Sequence, residues 1–250
     1  MKRTISAVAF LSFSCLPTIV SATPTDLSQM KPIKRGAYTL YTPYMEQAVK
    51  SLEVVAAPPI SGSEAYEADK QAMLYEWPAA RVAQATQDAR ISPDYFAKIY
   101  GEVIGVEISF ESTPAIYTVI ARSIADYGLA TSDAKQHYAR TRPFAAYELQ
   151  TCTPYAEDYL RADGSYPSGH TATGYGISLV IAQIAPDYST ELIARGEDYG
   201  RSRTVCNVHY PSDVQAGILV AEAVAEAQLS SEQFVTDLKA AQNEWLSLSE

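Results

Sequence analysis

Apolar residues recur at three- and four-residue intervals through most of this chain, and strict alternation is nearly absent. Residues 44–56 place Met45, Ala48, Val49, Leu52 and Val55–Ala56 on one helical face before Pro58-Pro59 stop the run. Ser63 opens a helix to about Tyr75, and residues 79–89 are rich in the good helix formers Ala, Gln and Arg. Ser92-Pro93 and Thr113-Pro114 each set a capping residue before a proline at the first helical position, and Gly128 is placed to stop the second helix. Ser132 caps a short helix through Arg140, Ser168 caps 169–185, and Ser189 caps 190–205. Pro211-Ser212 precede a strongly apolar helix over 213–228, and Ser230 or Ser231 starts a last one to about Leu246. The pattern predicts an all-α single domain over residues 43–250, a helical bundle with one or two nearly apolar helices at its centre. Residues 23–42, polar with scattered prolines, read as a loosely ordered N-terminal arm.

The first 22 residues follow a different pattern. Lys2 and Arg3 form a positive head, Ala7 to Val20 carries no charge, and Val20-Ser21-Ala22 ends the run with small residues. This predicts a signal peptide over residues 1–22, cleaved after Ala22. A membrane anchor is the competing reading, but the run falls short of the ~20 residues a spanning helix needs, and Pro17 interrupts it. No later segment is long and apolar enough to span, so the mature protein is expected to be exported and free of the membrane.

Composition narrows the function classes. With 250 residues, 47% of them hydrophobic, the chain can build a sizeable core, and intrinsic disorder is excluded. The formal charge is −10, and loss of Lys2 and Arg3 takes it to −12. So acidic a chain has no electrostatic footprint for nucleic acid or an anionic membrane. An anionic substrate must be met by a local cluster of cations. Export also changes the cysteines: Cys15 leaves with the signal, and Cys152 with Cys206 suggests one disulfide, two buried thiols being the alternative.

Three short motifs carry candidate chemistry. Pro167-Ser168-Gly169-His170 puts small residues and an imidazole at a helix start, where free N–H groups and about half a positive charge favour an anion. Ser202-Arg203 is followed after five residues by His209 and after three more by Asp213. Arg203 offers a planar fork suited to phosphate oxygens. Asp213 can reach back to one nitrogen of His209, leaving the other free to attack or ligate. Lys135, six residues and Arg142-Pro143 supply two more cations. Three cations can balance a phosphate dianion and the charge that gathers on its equatorial oxygens. Taken alone, each motif has a structural explanation; their joint occurrence does not.

Together they resemble the three-part signature of the type 2 phosphatidic acid phosphatase and vanadium haloperoxidase superfamily. The strings from Gly164 to Thr171 and from Lys135 to Phe144 are similar to those of the class A bacterial non-specific acid phosphatases, with weaker likeness from about Pro58 to Trp245. The resemblance implies that His209 is a nucleophile forming phosphohistidine and that Asp213 orients it. It makes His170 the general acid and then base, and Lys135, Arg142, Arg203, Ser168 and the Gly169 N–H the phosphate-binding groups. It also implies no metal and no cofactor, broad phosphomonoester substrates (nucleotides, sugar and aryl phosphates), inhibition by phosphate and vanadate, and some phosphate transfer to alcohols. A periplasmic homodimer and cysteines at the positions of Cys152 and Cys206 belong to the same implication. Two departures from the family stand at the third motif. Tyr210-Pro211 replaces the usual Trp after the nucleophilic His, and Asn207-Val208 stands where Gly-Tyr is common. They are expected to line the site's edge and affect substrate preference. His137, inside the first motif, has no assigned role and is expected at the surface or in a structural contact.

The main rival is a vanadate-dependent haloperoxidase on the same anion pocket, usually a much longer chain. A membrane lipid phosphatase would need several spanning helices, and a phosphate-binding protein would need no second imidazole. With unperturbed imidazole pKa values of about 6.5, a neutral His209 and a protonated His170 would coexist near pH 5–6.5, the expected rate optimum.

Overall fold

The computed structural model describes residues 23–35 and 38–248; the expected signal peptide lies outside the described residues. The helices are α1 (Ser51–Val54), α2 (Glu64–Ala72), α3 (Ala79–Gln87), α4 (Pro93–Ile104), α5 (Pro114–Leu129) and α6 (Ser132–Tyr138). After them come α7 (Pro143–Ala146), α8 (Glu157–Ala162), α9 (Gly169–Ile184), α10 (Ser189–Val205), α11 (Pro211–Gln228) and α12 (Glu232–Ser247). The fold is all-α, apart from a two-stranded antiparallel hairpin of β1 (Ile33–Arg35) and β2 (Tyr38–Leu40).

Most starts coincide with the capping residues that the sequence offers. Ser63, Ser92, Ser168 and Ser231 each accept from the backbone N–H three residues on, satisfying a donor that has no partner within the helix. Several expectations need correction. Ser132 and Ser189 do not cap α6 and α10 but are their first residues, with Thr131 and Tyr188 at the cap positions. Residues 44–50 are not helical, and only Ser51–Val54 coils; the Tyr44 and Met45 N–H groups donate to the Asp126 carboxylate at 3.2 and 3.1 Å. Gly128 lies inside the last turn of α5 rather than stopping it. α6 ends at Tyr138, two residues early, with Ala139 left-handed at φ 42°.

Segment 23–42 is anchored at its start. Thr25 N–H donates to Asp237 at 2.7 Å, Arg122 donates to Thr25 Oγ1 at 2.6 Å, and Leu27 is buried. The hairpin then runs to the mouth of the main cavity.

The core forms around α9, which packs against α5, α10 and α11. α9 carries almost no polar face: His170 through Ser178 are all buried. Such a helix must be covered on every side, and small residues bring the neighbours close. A Cβ on Gly174 would lie 2.0 Å from the Tyr199 ring on α10, and one on Gly176 2.3 Å from the Tyr127 ring on α5. On α11, a Cβ on Gly217 would meet the Ser168 carbonyl at 2.6 Å. These approaches press the start of α9 and the start of α11 together, so that Ser168 N–H donates to the Asp213 carbonyl at 2.9 Å.

A smaller core of Ala85, Phe144, Leu160, Val205, Cys206 and Val208 underlies the segment between α10 and α11. Cys206 is bonded to Cys152 there, closing a separation of 54 residues. In the chain-entropy account such a loop contributes roughly 4 kcal/mol.

Gly174→Ala would drive a methyl group into the fully buried Tyr199 ring. Thermal or denaturant unfolding should show a loss of about 2 kcal/mol or more. Unchanged stability would contradict the close α9–α10 packing.

Candidate active site

The site forms where three connections meet: the extended turn between α6 and α7, the loop into α9, and the loop between α10 and α11. Arg140 and Arg142 lie two residues apart in the first, so both side chains can face one way. They bracket the His209–Asp213 pair. Arg140 donates to Asp213 Oδ1 at 2.5 Å, and Arg142 Nη1 contacts His209 Nε2 at 2.9 Å. A guanidinium only donates, so Nε2 presents its lone pair and the ring hydrogen lies on Nδ1. That hydrogen faces Asp213 Oδ2 at 3.4 Å.

Asp213 is fully buried and heavily engaged. Its Oδ2 also accepts from the Ser165 hydroxyl and from the N–H of Tyr210, the N-cap of α11, at 2.9 Å, which makes Asp213 the third-residue partner in that helix's capping box. Arg140 is held in turn by Asp69 on α2 at 2.8 Å, and Asp69 accepts the Ser212 N–H at 3.0 Å. Its guanidinium lies 4.1 Å over the Tyr210 ring. Although burial opposes its charge, the Asp213 and Asp69 carboxylates raise the Arg140 pKa.

His170, in the first turn of α9, contacts the Ala89 carbonyl through Nε2 at 3.1 Å. A carbonyl only accepts, so Nε2 carries a hydrogen and Nδ1 is the nitrogen left to exchange a proton. Ser168 accepts from both the Thr171 N–H and the Thr171 hydroxyl, at 3.3 and 2.9 Å, which leaves its own hydroxyl hydrogen for another acceptor.

Each cation of the site is buried differently. All five N–H groups of Arg142 have acceptors: Leu160, Asp163, Val208 and Gly164 carbonyls, the Asp163 carboxylate and His209. Lys135 donates to Asp163 Oδ2 at 3.0 Å and to the Gly164 carbonyl. Arg203 is only 1% exposed, yet its Nε and Nη1 atoms have no partner. Burial pushes the Arg203 pKa down to about 10. Burial and then the charge of Arg142 push Lys135 down to about 8. Both imidazoles are held well below the ordinary histidine value, first by burial. The Arg203 charge adds to this at His170, and the Arg142, Lys135 and Arg203 charges add to it at His209. Both shifts favour the neutral rings in the free protein, against the expectation of unperturbed pKa values near 6.5.

Comparison with known proteins places this geometry. Residues 114–234, which include every residue of the three motifs, match the PAP2 superfamily. The chain is 38% identical to the non-specific acid phosphatase of Salmonella typhimurium over 190 residues, 74% of this chain and 76% of that one. With the non-specific acid phosphatase of Providencia stuartii it shares 36% over 99% of both chains. The chain belongs to the PAP2 superfamily, among its class A bacterial non-specific acid phosphatases. A lipid A 1-phosphatase of Rhizobium etli is 34% identical over only 93 residues, 36% of this chain. Among the described residues, no helix is long and apolar enough to cross a membrane.

The remaining geometry describes how this acid phosphatase surrounds its site. A cavity of about 640 Å³ opens onto Lys135, Arg142, Gly169, His170 and His209. Its walls come from Tyr38 and Leu40 of the hairpin, Ile91, and Tyr155 and Tyr159 beside α8. None of these was singled out in the sequence, where an exposed tyrosine has no motif around it. The family departures lie elsewhere. Asn207 takes φ 59°, a left-handed conformation that asparagine tolerates nearly as glycine does, and its side chain donates to the Gln150 carbonyl at 2.9 Å. Val208 is buried in the smaller core, and Tyr210 lies beneath Arg140. These residues pack around the segment that carries His209 instead of lining the cavity, against the expectation that they line the site's edge. His137 is exposed and packs edge-on against Tyr138, with no contact to the site. Asp163, Ser165, Arg140 and Asp69 were given no role in the sequence, although Arg140 lies inside the first motif, Ser165 inside the Gly164–Thr171 string and Asp163 just before it. Among the described residues, no three His, Cys, Asp or Glu side chains are grouped as metal ligands.

A buried guanidinium with unpartnered nitrogens is costly to the fold. Arg203→Met should therefore raise the melting temperature of the phosphate-free protein, a gain of about 1–3 kcal/mol. It should also abolish stabilisation by added phosphate. A less stable variant that still responds to phosphate would show that Arg203 serves the fold instead.

Proposed function

We propose that this acid phosphatase hydrolyses a broad range of phosphate monoesters through a phosphohistidine intermediate, in the periplasm and without a metal. The observation that carries the reading is the unpartnered, buried guanidinium of Arg203, whose charge acts on both imidazoles. A tetrahedral dianion supplies the missing acceptors. Nucleotides, sugar phosphates and aryl phosphates all present that same group.

The steps follow from the tautomers. An incoming phosphoryl group competes for Arg142 Nη1, and its transfer from His209 to a phosphoryl oxygen frees the Nε2 lone pair. That lone pair attacks phosphorus while the bond from phosphorus to the ester oxygen breaks. Asp213 stabilises the positive imidazole through Nδ1–H, and His170 Nδ1 gives a proton to the departing oxygen. Water then attacks phosphorus and passes a proton to His170, the bond from phosphorus to Nε2 breaks, and phosphate leaves. An alcohol in place of water would give the phosphotransferase activity. The electrophilic charge comes from Lys135, Arg142, Arg203, Ser168 and the Gly169 N–H. Export follows from the signal-like residues 1–22, and homodimer formation from the family likeness.

The acid optimum has a different origin from the one first expected. Because His170 is neutral in the free protein, its proton must be acquired with the substrate. A bound dianion offsets the Arg203 and Arg142 charges that push its pKa down. The sign for stability follows from linkage: the depressed imidazoles bind protons more readily in the unfolded chain. The free fold should thus lose stability as pH falls below about 6.5, and phosphate should protect it most at acid pH.

Turnover of p-nitrophenyl phosphate by residues 23–250 in excess EDTA should persist, should be inhibited by orthovanadate, and should vanish in His209→Ala. Calorimetry in two buffers of different ionisation enthalpy should show that phosphate binding takes up protons near pH 6. Silence toward p-nitrophenyl phosphate, with peroxide-dependent halide oxidation when vanadate is added, would overturn the phosphatase mechanism in favour of a haloperoxidase.

A further inference from the structure

The donors that Lys135 and Arg142 would offer a phosphoryl group are largely spoken for, and one residue takes more of them than any other. Asp163, at the C-terminal cap of α8, accepts from Lys135 Nζ and from Arg142 Nη2, both at 3.0 Å and both on its Oδ2. Its carbonyl accepts from Arg142 Nε at 3.1 Å. The carboxylate lines the same cavity as His209 and His170, with about a third of its side chain (34%) exposed. Gly164, next to it, leaves no room for a Cβ, which would stand 2.5 Å from the Lys135 carbonyl. The carboxylate is thereby brought tightly against the two cations.

We propose that Asp163 is a built-in competitor anion, which holds Lys135 and Arg142 until a phosphoryl group displaces it and which speeds release of inorganic phosphate by taking them back. This rests on the phosphatase reading of the site. A carboxylate and a phosphoryl oxygen make the same kind of charge-assisted bond to a guanidinium or an ammonium. Two anions cannot share one pair of cations without repulsion, so the phosphate-bound site must either move the carboxylate away or carry its repulsion. In both cases Asp163 weakens phosphate binding in exchange for a free site in which the two cations share one counter-charge. A residue whose only task was to position the two cations would have the opposite effect, because its loss would let them wander.

The two roles differ in sign, which makes the test direct. Asp163→Asn keeps the shape and removes the charge, and Asp163→Ser shortens the side chain as well. Binding of inorganic phosphate and of orthovanadate would be measured by calorimetry on the 23–250 protein and both variants, together with kcat and KM for p-nitrophenyl phosphate. Phosphate should bind both variants roughly three- to tenfold more tightly, with KM falling and kcat falling as product release slows. The melting temperature without phosphate should drop and the stabilisation by phosphate should grow. Equal or weaker phosphate binding in both variants would overturn the proposal and leave Asp163 a positioning residue. Failure of the unaltered protein to bind phosphate at all would instead overturn the reading of the site.

Discussion

Burial of three cations around one imidazole is the constraint on which the rest of this structure depends. Lys135, Arg142 and Arg203 repel one another, and a low-dielectric interior strengthens that repulsion. They are held in place because each belongs to a segment that the fold fixes for other reasons. Lys135 lies on α6, Arg142 is the N-cap of α7, and Arg203 is in the last turn of α10. Arg142 is compensated by carbonyls and one carboxylate, Lys135 shares that carboxylate, and Arg203 is left short. The proposed phosphate would supply the acceptors that Arg203 lacks.

The His209 imidazole is held by a second, opposite device. Asp213 accepts from Arg140, Ser165, Tyr210 and His209, so it closes the capping box of α11, ties that helix to the first motif and faces the imidazole. Asp69 on α2 extends the chain of ion pairs outward through Arg140. The glycine contacts of α9 complete the arrangement, since without Gly217 the Ser168 and Asp213 segments could not share a backbone hydrogen bond. Fold stability and site geometry draw on the same few contacts.

Much of this was legible in the sequence. Serines followed by helical periodicity marked most helix starts, and the three motifs named residues that the fold does bring to one cavity. What stayed hidden has physical reasons. Residues 44–45 donate to the Asp126 carboxylate and stay outside any helix despite their helical apolar spacing, and no local signal announces a partner over 80 residues away. Tyr38, Tyr155 and Tyr159 become cavity walls only through tertiary placement. Arg140 and Asp163 resemble ordinary surface charges until their partners are seen. The depressed imidazoles follow from burial and converging cations, neither of which spacing reveals. Asn207 shows the reverse: a departure from the family string becomes intelligible once its backbone is known to be left-handed.

The central claim is that His209 Nε2 becomes covalently bonded to phosphorus. The most direct measurement is rapid alkaline quenching of the enzyme during turnover of p-nitrophenyl phosphate, followed by mass spectrometry of its peptides. The account predicts an acid-labile phosphoryl group on the peptide containing His209, absent from His209→Ala and increased in His170→Ala, where water is no longer activated. Full turnover with no phosphorylated peptide at any quench time, or a phosphoryl group on another residue, would contradict it.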